Sequence, residues 1–425
     1  NEAEIDSFKK FGYQELAKKI IFSFIGDFMS ENDLSKIIDK SYSVFREKNV
    51  VKLIKVGDRS VLELFHGPTL AFKDVAMQLL GNFYEYYLNN ENEKINIVVA
   101  TSGDTGAAAI DAIKGKKNVN IFVLHPHNRV SSVQRKLMTT GKEQNVINIA
   151  INGNFDDCQN LVKSMFADKI FSNEIRMSGV NSINWARIIA QSVYYFYSYF
   201  LVEDKDRPLN FSVPTGNFGD VYAGYLAKKM GLPINKLIVA TNQNDILHRC
   251  ISANQYQKKG LVQTLTPSMD IMVSSNFERL LFDLYDRDGA ALAELIRSLN
   301  NGTTNSLEPQ RWQKARQLFS SHCVNDDKTC DVIRQTVHQH NYLLDPHTAI
   351  GVHAARSQRR SHDVPMVTLG TAHPVKFADA VDQAGLSRPD LPPHLIDLMT
   401  RDERYTVLPN DLSVIQDWIA EQVFG

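Results

Sequence analysis

One lysine in the sequence stands where its amine could become reactive. Lys73 follows the segment HGPTLAF (66–72) and precedes an apolar stretch with helical spacing (75–80). Removal from water lowers the pKa of a lysine amine, and a neutral amine can attack a carbonyl carbon to form an imine. The pattern is weak by itself because most lysines are solvated surface charges, and Asp74 could serve simply as the cap of the following helix.

Two glycine-containing turns each join a predicted strand to a predicted helix. TSGDTG (101–106) lies between strand 96–100 and helix 107–113, and PTGNFGD (214–220) follows strand 209–213. Backbone N–H groups at such a helix N-terminus favour an anion, either a carboxylate or a phosphate. The second turn has neither the dinucleotide nor the P-loop pattern, so a phosphate is favoured over a nucleotide there. For the first turn, a plain connection capped by Ser and Thr remains an alternative.

A fourth segment, LGTAHP (369–374), follows the predicted strand 365–369. The hydroxyl of Thr371 at this strand end could meet a pyridine nitrogen, and a neutral hydroxyl would not force that nitrogen to be protonated. A reactive lysine, two anion-binding turns and this threonine together suggest pyridoxal phosphate. One turn would hold the cofactor phosphate, and the other would hold a substrate carboxylate.

The elements that must position these residues alternate along the chain from about Leu53. Residues 1–50 and 276–340 have helical spacing, and 300–306 is a turn-rich loop. Strand–helix alternation predicts an α/β protein with parallel sheets and helices on both faces. The predicted strands are 95–100, 120–124, 146–151, 209–213, 236–240 and 365–369, and the helices between them are 107–113, 133–139, 156–166, 220–230 and 246–251.

Composition excludes several other classes of protein. The chain has 425 residues, 47 basic and 48 acidic, so it offers no basic field for nucleic acid and no polybasic membrane anchor. The apolar run 188–202 is too short and too polar to cross a membrane, and it predicts a buried helix. No metal site is predicted, because the spacing of the four cysteines fits none. We expect a small-molecule enzyme of the cytoplasm, with reduced thiols at Cys158, Cys250, Cys323 and Cys330.

Five segments, in their order and separation, resemble the threonine synthase family. They are HGPTLAFKD, TSGDTGAA, NSINWAR, VPTGNFGD and LGTAHPVKF. The resemblance runs from about Phe8 to near the C-terminus and is looser over 255–340. It implies the tryptophan synthase β-like fold, called fold type II among pyridoxal-phosphate enzymes.

The resemblance also implies a division of the chain into three parts. We expect an N-terminal helical segment over 1–55, a cofactor-binding α/β region in two lobes over 56–400, and a C-terminal helix or tail over 401–425. Family members usually begin with a further segment, so we expect the first part of the N-terminal segment to be absent here. The family contains monomers and dimers, and both states stay open.

Site roles follow from the resemblance residue by residue. It implies Lys73 as the Schiff-base lysine, Thr371 facing the pyridine nitrogen, and Asp104 near the cofactor's 3′-oxygen. Some relatives carry Asn at the position of Asp220, so this acidic side chain is expected to point away from the phosphate. For Arg187 a helix-surface salt bridge is the alternative. The cofactor phosphate is expected at Gly216, Asn217, Phe218, Gly219 and Asp220, the substrate carboxylate at Ser102, Gly103 and Thr105, and the substrate phosphate at Ser182, Asn184 and Arg187.

The implied reaction converts O-phospho-L-homoserine and water to L-threonine and phosphate, the last step of threonine biosynthesis, by a carbon–oxygen lyase acting on phosphate. The amine of Lys73 would remove the α-proton, while His66 and His373 either carry protons or serve as structural hydrogen-bonding groups. One alternative is a phospho-lyase that gives 2-oxobutyrate. Another is a non-catalytic relative, which the presence of both the lysine and the phosphate turn disfavours.

Overall fold

The structure is a computed structural model that describes residues 2–202, 207–302, 305–359 and 364–425. Its strands are β1 (Lys52–Val56), β2 (Arg59–Glu63), β3 (Ile95–Ala100), β4 (Val119–Pro126), β5 (Val146–Asn152), β6 (Met177–Ser178), β7 (Leu209–Pro214), β8 (Ile234–Thr241), β9 (Phe319–Cys323), β10 (Met366–Gly370) and β11 (Thr406–Pro409).

The α-helices are α1 (Glu2–Ser7), α2 (Tyr13–Ile25), α3 (Glu31–Tyr42), α4 (Lys73–Glu91), α5 (Asp104–Ile113), α6 (Ser132–Thr139), α7 (Phe155–Ala167), α8 (Lys169–Glu174), α9 (Trp185–Leu201), α10 (Gly219–Lys229), α11 (Ile246–Ala253), α12 (Phe277–Leu284), α13 (Gly289–Asn300), α14 (Pro309–Leu318), α15 (Asp326–His340), α16 (Pro346–Gln358), α17 (Ala378–Gln383) and α18 (Leu412–Phe424). Short 3-10 helices cover Phe8–Lys10, Gly26–Phe28, Pro267–Met269, Pro374–Phe377, Pro393–Leu395 and Leu398–Thr400.

The chain divides into two compact units, and each is made of separate stretches of sequence. The first unit consists of Asn1–Glu31, Arg46–His66 and Arg187–Pro389. The second unit consists of Asn32–Phe45, Gly67–Ala186 and Asp390–Gly425.

The sheet of the second unit is parallel throughout, in the order β11-β5-β4-β3-β6. Successive residues of β3 point to opposite faces, as strand geometry requires. Ile97 and Val99 pack in one apolar core with residues of α4 and α5, while Val98 packs in another with residues of α7 and α18. Burial on both faces explains why these strands are nearly continuous apolar runs.

The sheet of the first unit has the order β1-β2-β10-β7-β8-β9. Only β1 and β2 pair antiparallel among the strand pairs of this described sheet, and the other pairs are parallel. Because β7 and β10 are parallel neighbours, the segments that follow them emerge at the same edge. This edge therefore receives both the glycine turn after Pro214 and the threonine after Gly370, which is where parallel α/β sheets usually bind ligands.

The predicted α/β class is confirmed, and each predicted strand and helix appears within a few residues of its expected bounds. The predictions omitted β1, β2, β6, β9 and β11, which are short or lie at sheet edges. The mainly helical stretch 276–340 therefore contains one strand, β9. Of the expected loop 300–306, Asn300 instead ends α13, and residues 303 and 304 lie outside the described residues.

The buried helix expected at 188–202 is α9, most of whose side chains are inaccessible to solvent. Within the described ranges, no helix is both long and apolar enough to cross a membrane.

Helices α4 and α5 pack tightly against each other at Gly81. A Cβ atom added there would lie 2.5 Å from the backbone oxygen of Ala112 and 3.1 Å from its Cβ. A backbone oxygen inside a helix cannot move aside without shifting the whole helix. The packing of these two helices therefore depends on the absence of a side chain at this position.

Replacement of Gly81 by alanine should destabilise the protein, although helix propensity alone predicts the opposite sign. We expect the free energy of unfolding, measured by urea titration, to fall by about 1–3 kcal/mol from overpacking. The matched control is Gly289→Ala, where nothing lies within 4 Å of the new Cβ at the start of α13. That change should raise stability by up to about 1 kcal/mol. A stabilised Gly81→Ala protein would contradict the close approach.

Candidate functional site

The amine of Lys73 is buried beside a carboxylate in the second unit. Lys73 is the first residue of α4 and only 9% exposed. Its Nζ lies 3.2 Å from Oδ2 of Asp104 and 4.8 Å from the centre of the Phe72 ring. The amine is therefore shielded from water next to an aromatic ring and lies beside a carboxylate.

Asp104 is held from two directions. It is the first residue of α5 and 3% exposed. Its Oδ1 accepts a hydrogen bond from Nε2 of Gln134 at 2.9 Å, while Oδ2 faces Lys73. Gln134 was not predicted from the sequence, because it lies 30 residues away on α6 and no periodic pattern links it to Asp104.

Asp74 is not the cap of α4, so that alternative is wrong. The cap position is Phe72, and Asp74 is the second residue of the helix. Its carboxylate accepts hydrogen bonds from the backbone N–H of Thr69 at 2.8 Å and from the Thr69 hydroxyl at 2.5 Å. This fully buried carboxylate folds the preceding segment back on the helix and so fixes the backbone at Lys73.

The turn after β3 is tightened by a threonine that precedes it. The Thr101 hydroxyl oxygen accepts hydrogen bonds from the N–H groups of Gly103 and Gly106, both at 2.9 Å. The N–H groups of Gly103 and Gly106, which were predicted to be available to an anion, therefore already donate to Thr101. Gly103 has φ +139°, a conformation that residues with side chains rarely adopt. Ser102 and Thr105 are half-buried on either side of Gly103 and Asp104.

The turn after β7 carries the predicted cofactor-phosphate residues to the N-terminus of α10 in the first unit. Phe218 has φ +62° and caps the helix, which begins at Gly219. A Cβ at Gly216 would lie 2.6 Å from the backbone oxygen of Ser268, so the turn has room only for glycine there. The Asn217 carbonyl oxygen accepts a hydrogen bond from the backbone N–H of Asn276 at 3.1 Å. The turn is thus a rigid backbone cradle of the kind that binds phosphate.

Asp220 is directed towards two tyrosines of α9. Its Oδ1 accepts hydrogen bonds from the hydroxyls of Tyr194 at 2.5 Å and Tyr195 at 3.1 Å. Burial and the nearby carboxylate raise the pKa of both phenols well above the usual value, so both remain donors. The role of these tyrosines was not predicted from the sequence, where they are only part of an apolar helix.

Thr371 lies at the end of β10, on the same sheet edge as the glycine turn, and is 6% exposed. Its backbone N–H donates to the hydroxyl oxygen of Thr348 at 3.1 Å. The Thr348 hydroxyl in turn donates to Asp345, whose carboxylate caps α16. Thr348 and Asp345 therefore hold the backbone of Thr371, a second pair that the sequence analysis missed.

The segment predicted to meet the substrate phosphate spans the start of α9. Asn184 accepts a hydrogen bond from the backbone N–H of Ala186 at 3.0 Å, and Ser182 precedes it in a half-buried loop of the second unit. Arg187 is 3% exposed, so the alternative of a helix-surface salt bridge is wrong. Burial lowers the pKa of its guanidinium to about 10, which still leaves it charged at neutral pH.

The two histidines of the motifs both make structural hydrogen bonds in the first unit. His66 Nε2 lies 3.0 Å from Glu63, whose other oxygen accepts from the Tyr342 hydroxyl at 2.9 Å. His373 accepts from the backbone N–H of Val375 at 3.2 Å, and burial lowers its pKa to about 4. His373 is therefore neutral at physiological pH, and its Nδ1 is occupied as an acceptor.

Each of the two units, taken by itself, has residues that fit a part of pyridoxal phosphate. The second unit supplies a buried amine at Lys73, and the first supplies a helix N-terminus with a backbone cradle at Gly216 and a threonine on the same sheet edge. Among the residues that the structure describes, no group of three or more His, Cys, Asp or Glu side chains could hold a metal ion.

Family models match three parts of the chain. The model of pyridoxal-phosphate dependent enzymes matches residues 61–296, which confirms the predicted cofactor. The models of the threonine synthase N terminus and of the threonine synthase C-terminal part match residues 1–42 and 348–419. The matched ranges contain Lys73, the turn after β7 and Thr371, which follows β10.

Individual relatives agree with these models. A threonine synthase of Pseudomonas aeruginosa is 54% identical over 420 residues, which cover 98% of this chain and 90% of the relative. The crystal structure of pyridoxal-phosphate-bound threonine synthase from Brucella melitensis has a TM-score of 0.96 at 46% identity, covering 100% of this chain and 92% of the other. The yeast threonine synthase structure has a TM-score of 0.93 at 39% identity, with coverage of 100% and 91%. The chain therefore belongs to the threonine synthase family of pyridoxal-phosphate-dependent enzymes.

Proposed function

We propose that this chain converts O-phospho-L-homoserine and water to L-threonine and phosphate, with Lys73 as its catalytic residue. The chain belongs to this family, and the observation that carries the assignment is the buried amine of Lys73, the first residue of α4. Its Nζ lies 3.2 Å from the Asp104 carboxylate. Bound pyridoxal phosphate supplies an electron sink for the negative charge that develops on the substrate carbons.

Lys73 has two tasks in this proposal. Its Nζ would hold the cofactor covalently in the resting enzyme and would be free when the substrate is bound. The free amine would then take the proton from the substrate's α-carbon and return a proton to the same carbon at the end. Asp104 keeps the nitrogen in place throughout, since its carboxylate is itself fixed by Gln134.

The turn after β7 binds the cofactor phosphate in this proposal. Backbone N–H groups of Gly216, Asn217, Phe218 and Gly219 would donate to the phosphate oxygens at the N-terminus of α10. Asp220 would contribute only through its backbone. Its carboxylate accepts hydrogen bonds from Tyr194 and Tyr195, so this negative charge is directed towards the tyrosines and not towards the cofactor phosphate. Thr371, held through Thr348, would present its hydroxyl to the pyridine nitrogen.

The substrate is bound at its two charged ends. Ser102 and Thr105 would hold the α-carboxylate at the N-terminus of α5, and Gly103 would shape the turn between them while its own N–H donates to Thr101. Ser182, Asn184 and Arg187 would hold the phosphate. A buried guanidinium suits that second task, because its planar fork pairs two phosphate oxygens and its charge is poorly screened by water.

His66 and His373 serve in this proposal as structural hydrogen-bonding groups. Glu63 fixes the ring of His66 and the Val375 N–H fixes that of His373, which stays neutral at physiological pH. A cytoplasmic location is also proposed, since all four cysteines are free thiols, as is usual in a reducing compartment. Both monomer and homodimer are compatible with the proposal.

Replacement of Lys73 by alanine should abolish covalent capture of the cofactor and slow phosphate release from O-phospho-L-homoserine by about 10³-fold or more. Capture is measured by borohydride reduction followed by peptide mass analysis. The control is Lys116→Ala, a second shielded lysine of the same unit that pairs with Glu85 at 2.8 Å. It should retain both properties. A phosphopyridoxyl group on another lysine, with full activity in Lys73→Ala, would refute the assignment.

Replacement of Arg187 by lysine should weaken inhibition by inorganic phosphate about tenfold, because a bidentate contact becomes a single point charge. The inhibition constant is measured in steady-state assays at fixed ionic strength. Arg249→Lys is the control, since Arg249 pairs with Asp245 at 2.7 Å in the same unit. Equal inhibition constants for both variants and the parent chain would remove Arg187 from the phosphate site.

The product distinguishes the synthase from the phospho-lyase alternative. With O-phospho-L-homoserine as substrate, chromatography of the amino acid and 2-oxo acid products should give threonine in equimolar amount to released phosphate. Release of 2-oxobutyrate in place of threonine would keep the cofactor and Lys73 but transfer the chain to the lyase reaction.

A further inference from the structure

We propose that Gln134 is a positioning residue that sets both the orientation and the ionisation of Asp104, and through Asp104 controls Lys73. This inference rests on the proposed role of Lys73. It concerns a side chain on α6 that the proposed reaction does not otherwise use.

The two oxygens of Asp104 have different partners. Oδ1 accepts the hydrogen bond from Gln134 Nε2 at 2.9 Å, and Oδ2 faces Lys73 Nζ at 3.2 Å. Gln134 is only 2% exposed, so water competes little with its amide for the Asp104 oxygen. Because the amide fixes one oxygen, the carboxylate plane is fixed, and the second oxygen is directed at the lysine.

The orientation of the Gln134 amide is itself determined. The hydroxyl of Ser131 donates to Gln134 Oε1 at 2.9 Å and accepts from the Gln134 backbone N–H as the cap of α6. Since the carbonyl oxygen is taken by this donor, the NH₂ group must be the end that faces Asp104. Gly103 packs on the same amide, because a Cβ there would lie 2.7 Å from Gln134 Cδ.

Helix α6 is anchored so that it can present this amide from a fixed position. Arg135 makes a two-point ion pair with Glu403, with Nε and Nη2 at 2.8 and 3.0 Å from its oxygens. Lys136 donates to the backbone oxygen of Arg401 at 2.5 Å. The segment 401–404 therefore ties down the residues that follow Gln134 in the helix.

Several charged or titratable groups on the elements packed against α5 have partners of their own or are neutral. The main neighbours of α5 are α4, α6 and β4. Besides Lys73, α4 carries Asp74, which Thr69 binds, and α6 carries the anchored residues Arg135 and Lys136. On β4, burial lowers the pKa of His125 to about 4, so it is uncharged above that pH. On α5 itself, Asp111 is paired with Lys114 and bonded by Gln78.

The proposal predicts a definite direction of pH dependence. A donor to the carboxylate favours its ionised form, so loss of the Gln134 amide should raise the pKa of Asp104. At a pH above the pKa of Asp104 the carboxylate is ionised and holds the Lys73 nitrogen. As the pH falls through that pKa, the carboxylate is protonated and the hold is lost. A variant without the amide should therefore lose its hold on Lys73 at a higher pH than the parent chain.

The test replaces Gln134 by methionine, which has a similar shape and no donor. The readout is the fraction of pyridoxal phosphate trapped on Lys73 by borohydride between pH 5 and 9, determined by peptide mass, together with the visible absorbance of the loaded protein. The acid midpoint should move upward by about one pH unit. Gln78→Met is the control, because Gln78 is another buried glutamine that donates to an aspartate, Asp111, at 2.7 Å.

Two further variants keep the test decisive if Gln134→Met does not fold. Gln134→Glu places a second carboxyl against Asp104, and because the two would share a proton, the midpoint should rise further. Ser131→Ala keeps the amide but frees its orientation, so a smaller upward shift is expected. Acid midpoints equal to those of the parent chain and Gln78→Met would overturn the role of Gln134. Absence of trapping on Lys73 in the parent chain would overturn the proposed function and this inference together.

Discussion

The buried contact between Lys73 and Asp104 is the constraint on which the rest of the second unit depends. A lysine 9% exposed and an aspartate 3% exposed would each be costly to bury alone, and they are tolerated because each faces the other. Their separation is set by two helix N-termini, since both residues stand at the first position of a helix. The tight packing of α4 on α5 at Gly81 and the anchoring of α6 thus contribute directly to the geometry of the reactive amine.

The sheets explain why the chemistry gathers at turns. Parallel strands buried on both faces leave only their ends available to ligands, and the helix that follows each strand adds a favourable N-terminus for anions. In the first unit this places the glycine turn after β7 beside the threonine after β10. In the second unit it places Asp104 at the end of the turn that follows β3, as the first residue of α5. Each unit thus presents polar groups at one edge of an otherwise apolar sheet.

Several buried polar side chains support these turns by holding the proposed site residues in place. Two tyrosines engage Asp220, Thr348 holds the backbone of Thr371, and Gln134 holds Asp104. All are buried, so a lost partner would leave a polar atom without water to replace it. This cost makes the arrangement specific, because alternative side-chain orientations forfeit hydrogen bonds.

The sequence by itself determined the alternation of strands and helices, the two glycine turns, the segments that carry Lys73 and Thr371, and the family, because these are encoded in residues close together along the chain. It did not reveal the edge strands β1, β9 and β11, whose short segments carry little periodicity. Nor did it reveal Gln134, Tyr194 or Thr348, which meet their partners across 23 to 30 residues. Only the tertiary structure decided those pairs, because a hydrogen bond between distant residues depends on how strands and helices pack, and that packing leaves no local pattern in the sequence.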